Sequence, residues 1–99
     1  MASYRLTRSA RGDLIDIWLY TDATWGEEQA DRYQEALHDC CVRVAAGTAN
    51  ARPVPGLNAV CSFHCQHHYL FFVEQGETVV IVAVLHERMD LIERLKERL

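Results

Sequence analysis

The chain has 99 residues, 49% of them hydrophobic, and a chain of this length buries roughly 60 to 70% of its unfolded surface, so residues 1–99 are expected to form one domain. Ten basic against fourteen acidic side chains give a net charge of −4, which disfavours nucleic-acid binding through phosphate neutralisation and favours a basic partner surface. The longest apolar run, near Val79 to Leu85, falls far short of the roughly 20 residues of a membrane span, and the N-terminus has no apolar signal core, so a cytoplasmic protein is expected.

Tyr4 to Thr7 predicts a short first strand. Ser9 is placed to cap a helix whose apolar positions Leu14, Ile17, Trp18 and Thr21 recur at helical spacing, with Gly26 as its stop. A second helix opens with Glu27, Glu28 and Asp31 at the positive end of its dipole and repeats apolar residues at Ala30, Tyr33, Leu37, Cys40 or Cys41, and Val44. Gly47 ends it. Two antiparallel helices joined near Trp25-Gly26 are expected to bury both stripes against a sheet.

From Thr48 to Asn58, Pro53, Pro55 and Gly56 predict a loop without regular structure. Ala59 to Cys65 and His67 to Glu74 read as strands, and Glu74-Gln75-Gly76-Glu77 closes a hairpin to Thr78–Leu85. Val79 to Leu85 is apolar at every position, as in a strand covered on both faces, and is expected at the middle of the sheet. Asp90 to Leu99 alternates acids and bases around Leu91, Ile92, Leu95 and Leu99, predicting an amphipathic terminal helix with Glu93 and Glu97 placed to pair with basic neighbours.

The four cysteines suggest no near-neighbour bridge. Cys40 and Cys41 diverge around a helix, and Cys61 and Cys65 lie about 13 Å apart along one strand face, too far for a disulfide or a shared zinc. His64 and His68 are placed at the same separation on the opposite face. Partly buried thiols and edge histidines, with no metal and no cofactor, are the expectation. Asp13 and Asp16 are expected to serve the helix dipole and solvent. Cys65 beside His67 or His68 lacks the third ordering group that a thiol nucleophile needs. No Gly-rich phosphate cradle, Gly-x-Ser-x-Gly elbow or HExxH pair occurs.

The opening Tyr4-Arg5-Leu6-Thr7, the two helices, His68-Tyr69-Leu70-Phe71-Phe72, Ile81-Val82-Ala83-Val84-Leu85-His86 and the ending His86-Glu87-Arg88-Met89-Asp90 together resemble the ParE branch of the ParE/RelE toxin superfamily. The resemblance runs over nearly the whole chain. It implies an α+β fold: an N-terminal strand, an antiparallel helix hairpin packed on an antiparallel sheet, and a short C-terminal helix.

RelE-type relatives cut messenger RNA on the ribosome with basic and acid–base side chains. At matching sheet positions this chain has Cys61, Val73 and Ala83, from which no phosphodiester site can be assembled. Tyr69 and His86 are the candidates for a residual ribonuclease alternative. The ParE resemblance implies instead a non-catalytic bacterial toxin that inhibits DNA gyrase by protein contact and arrests growth, as in plasmid stabilisation systems. A cognate antitoxin neutralises such a toxin in a hetero-oligomer, its C-terminal segment ordering as it docks. Arg88, Met89 and Asp90, with Leu91 and Leu95 of the terminal helix, are the expected partner-binding residues. An inactive relative that only binds antitoxin is the third class.

Overall fold

The computed structural model describes residues 3–99. Met1 and Ala2, the start of the expected 1–99 domain, lie outside the described residues. In chain order the elements are β1 (Ser3–Leu6), α1 (Arg8–Trp25), α2 (Glu27–Ala45), β2 (Arg52–Pro53), β3 (Cys61–Cys65), β4 (His68–Gln75), β5 (Thr78–His86) and α3 (Leu91–Lys96). The strands form one sheet in the order β1-β5-β4-β3-β2.

The sheet is antiparallel from β2 to β5, and β1 adds to β5 in parallel, with Ser3 opposite Thr78 and Leu6 opposite Ile81. A parallel neighbour needs a long crossover, and the helix hairpin belongs to it. The expected central strand, β5, is interior and buried on both faces, while β4 holds the geometric middle. Val82 is an extra residue in the β4–β5 ladder, where the register shifts between Phe71 and Phe72.

Helix α1 is capped two residues before the expected position. Thr7, not Ser9, caps it: the Thr7 hydroxyl accepts the Ala10 N–H at 3.1 Å while the Thr7 N–H still donates to Ile81 at the end of β1. The same residue closes the strand and starts the helix because its extended backbone suits both roles. Gly26, at φ 96°, is the whole connection between α1 and α2. That positive φ is open to glycine at no side-chain cost, which allows so short a turn.

The helix hairpin covers one sheet face. Leu37, Cys41, Leu70 and Ile81 are at most 1% exposed in that core, and burying each large apolar side chain contributes roughly 1.5 to 3 kcal/mol. A smaller core on the other face joins Val80, Val82, Phe71 and Leu85 to Val54, Val60 and Leu95. Arg52–Pro53 of the expected loop forms a two-residue edge strand against Cys61 and Ser62. Proline is tolerated there because an edge strand has one side free of ladder bonds.

Two two-residue turns order the hairpins. Gly76 has φ 61° between β4 and β5, and Gln66 has φ 58° between β3 and β4. The turn at Gln66-His67 separates His64 from His68, which therefore do not share a strand face: His64 lies opposite Tyr69, and His68 opposite Cys65. No helix among the described residues is long and apolar enough to cross a membrane.

Candidate functional site

A groove of about 860 Å³ runs between α1 and the ends of β4 and β5. Helix α1 supplies Asp16, Ile17, Tyr20, Thr21 and Trp25, whose spacing of one, three, one and four puts them on one helical face. The opposite wall is Tyr33 of α2, the His67-His68 hairpin, His86 and Met89. Tyr20 and Trp25 are 70% and 72% exposed, and Met89 46%.

The polar groups of the groove are tied to one another. The Tyr33 hydroxyl accepts the His67 N–H at 3.0 Å and lies 2.7 Å from His68 Nδ1. Accepting that hydrogen bond leaves its own O–H to donate to Nδ1, which fits a neutral His68. Burial, then the neighbouring rings of His86 and His67, push His68 down to about 4. Burial also raises the Tyr33 phenol. His86 Nδ1 accepts the Arg88 N–H at 3.1 Å, so its ring proton sits on Nε2 in the neutral form. Neither histidine holds a free basic nitrogen beside an acid, as proton transfer to a substrate requires.

The pair considered for ribonuclease chemistry is split by the sheet. His68 and His86 are cross-strand partners, and Tyr69 pairs with Leu85 one residue on, so the side chains of Tyr69 and His86 leave opposite faces. Tyr69 instead stacks on His64, with ring centroids 4.6 Å apart. Cys61 joins the helix-side core, whereas Val73 and Ala83 join the core on the other face. These three positions do not converge.

Of the expected partner-binding residues, Arg88, Met89 and Asp90 are exposed where β5 passes into α3, and Met89 alone lines the groove. Asp90 caps α3, accepting the Glu93 N–H at 3.4 Å. Leu91 is half-buried and Leu95 fully buried in the core beneath α3, so Leu95 anchors the helix and presents no surface. Glu93 and Glu97 make no ion pair among the described residues.

Several residues take roles their spacing did not indicate. Asp13 does not face solvent at a helix start: it accepts the Val84 N–H at 2.9 Å and binds Arg98 at the far end of the chain. Glu87 bridges His64 and His67, at 2.7 and 3.3 Å, and those contacts lower its carboxyl. The absence of any bridge is also corrected, because Cys40 of α2 and Cys65 of β3 form a disulfide across 25 residues with Cα atoms 6.4 Å apart. Cys65 is therefore no free nucleophile, and only Cys41 and Cys61 remain as thiols. Among the described residues, no group of three His, Cys, Asp or Glu side chains is arranged to hold a metal ion.

A helix hairpin on a small five-stranded sheet, an open groove beside it and a short terminal helix define the fold. Residues 4–91 match the family model of the ParE toxin of type II toxin–antitoxin systems, and the chain belongs to that family. It is 42% identical to Toxin ParE of Escherichia coli over 100% of this chain and 98% of that protein. It is 34% identical to Toxin ParE1 of Caulobacter vibrioides over 91% of this chain and 94% of that one. The fold is shared with a chain of the chromosomal ParDE TA system from P. aeruginosa, at a TM-score of 0.76 and 20% identity over 87% of this chain and 96% of that one. A chain of the toxin–antitoxin complex RelBE2 from Mycobacterium tuberculosis gives a TM-score of 0.55 and 23% identity over 86% and 96%.

Proposed function

We propose that this chain is the toxin of a type II toxin–antitoxin pair, that it acts in the cytoplasm by protein contact on DNA gyrase without catalysis, and that a cognate antitoxin silences it in a hetero-oligomer. The observation that carries the reading is the groove. Tyr20, Trp25 and Met89 stand exposed over it, and aromatic and Met side chains of this kind are enriched in protein interfaces. The Tyr69 and His86 side chains point to opposite faces, which speaks against the ribonuclease alternative.

The acidic Asp16 in the groove suits an antitoxin segment that is basic as well as apolar. Arg88, Met89 and Asp90 form the exposed corner available to either partner. Their proposed role is contact and not chemistry.

A supercoiling assay tests the proposal: purified chain freed of antitoxin, gyrase, ATP and relaxed plasmid. Lost supercoiling with trapped linear DNA, reversed by antitoxin, is expected. An unchanged gyrase at a large molar excess of the chain overturns the gyrase target. Antitoxin binding that persists without any gyrase effect identifies an inactive relative, and transcript cutting by purified chain on ribosomes restores the nuclease.

A further inference from the structure

We propose that Cys40 and Cys65 form a reversible thiol–disulfide switch that, when closed, locks helix α2 onto the β3–β4 hairpin forming the groove wall. Tyr33, Leu37, Cys40 and Val44 repeat along the buried face of α2, and Cys65 ends β3 just before the Gln66-His67 turn. The helix therefore meets the hairpin at two levels. One is the Tyr33 hydroxyl on His67 and His68. The other, two turns further along α2, is the Cys40–Cys65 bond.

The Cα separation of 6.4 Å lies within the range a disulfide spans without moving the backbone. Both sulfur-bearing side chains are buried, at 8% and 2% exposure, and with the bond open their place in the core is that of two small apolar thiols. Cys41 adjoins Cys40 but is 1% exposed, and burial pushes its thiol up to about 11. It carries almost no thiolate to compete in exchange.

The inference rests on the proposed function only for its compartment. Where gyrase works, glutathione and thioredoxin keep thiols reduced, and disulfides that form there are transient or sensing. The oxidant class is a small-molecule disulfide such as oxidised glutathione. One cysteine thiolate attacks it and expels one reduced glutathione, leaving a mixed disulfide. The second cysteine then attacks the protein sulfur, expels the second glutathione and gives up its proton. Two protein thiols and one glutathione disulfide become one protein disulfide and two glutathione thiols.

Opening the bond leaves the hairpin held by the Tyr33 hydrogen bonds and by packing, so the His67-His68 wall loosens. For a cross-link of this loop length in a chain of this size, the expected fall in Tm on reduction is on the order of 10 to 20 °C.

The test equilibrates the purified full chain across ratios of reduced to oxidised glutathione, unfolds and alkylates a quenched portion in denaturant so that every free thiol is labelled, maps the modified cysteines by mass spectrometry, and measures Tm and amide exchange of the folded chain at each ratio. Cys40 and Cys65 should become protected together while Cys41 and Cys61 stay labelled. Tm should follow that transition, and exchange near residues 36–44 and 64–68 should quicken on reduction. The C40A/C65A variant should lose the redox response, and the C41A/C61A variant should keep it. Labelling of Cys40 and Cys65 at every ratio overturns the proposal, as does a bond that survives a large excess of reduced glutathione or a Tm indifferent to the transition. Gyrase is absent from the assay, so this result and the supercoiling result fail independently.

Discussion

Arg98 and Asp13, 85 residues apart in sequence, form a two-pronged ion pair, with Nη2 2.7 Å from Oδ1 and Nη1 2.8 Å from Oδ2. Their side chains are 22% and 13% exposed. The same carboxylate accepts the Val84 N–H, on the side of β5 where β1 has already ended. One acid thus holds the first helix, the long strand and the C-terminal segment together. Asp13→Ala strands a largely buried guanidinium and a backbone donor, and should cost about 2 to 4 kcal/mol in urea unfolding. In a double-mutant cycle, Asp13→Ala with Arg98→Met should cost less than the sum of the single changes.

Leu95 is the fully buried residue of α3. Leu95→Ala should destabilise the chain by about 2 to 4 kcal/mol, whereas Ile92→Ala, on a side chain 40% exposed, should stay within about 0.5 kcal/mol. Equal effects in thermal unfolding would show that α3 is not anchored as described.

The pH dependence follows from His68. Its ring binds a proton near pH 6.5 in an unfolded chain but only near 4 in the fold, so the unfolded state takes up more protons between those values. This contribution to stability is complete above about pH 6.5 and is lost as pH falls toward 4. The groups facing the ring are His86, His67, Glu87, Asp13 and Tyr33. Ring resonances of His68 followed by NMR should titrate near pH 4. A His68 midpoint above 6 would contradict the buried neutral ring.

Trp25, at 72% exposure, offers a separation of binding from folding. Trp25→Ala should leave stability within about 0.5 kcal/mol and weaken antitoxin binding roughly 10- to 100-fold, as loss of an aromatic anchor does. Calorimetry with the cognate antitoxin measures this, and unchanged affinity would remove Trp25 from the interface.

Gln66 occupies the left-handed region at φ 58°, where a side chain costs roughly 1 kcal/mol. Gln66→Gly should therefore stabilise the chain by about 0.5 to 1 kcal/mol in chemical denaturation.

Both long helices and the β4–β5 hairpin were legible because their signals are local: the apolar repeat from Ala30 to Val44, and Gly76 between two apolar runs. What escaped was decided across the fold. Asp13 reads as a solvent-facing acid until Arg98 folds back onto it, and Cys40 reads as a core thiol until β3 lies beneath α2. Sequence spacing relates each cysteine only to its near neighbours, whereas the bonded pair joins a helix to a strand. The two-residue β2 has too little sequence to carry a period. The groove was only partly foreseen: Met89 came from the family motif, whereas Tyr20, Trp25 and Tyr33 were brought to it by the crossing of α1, α2 and the sheet.

The parallel pairing of Ser3–Leu6 with Thr78–Ile81 sets an order of events at the ribosome. The first strand is made more than 70 residues before its partner, and the Asp13–Arg98 clasp must wait for Arg98. Contacts so distant in sequence form slowly and late. A nascent chain therefore cannot complete its sheet until β5 has been made, and a truncated product ending before β5 lacks the strand on which β1 depends.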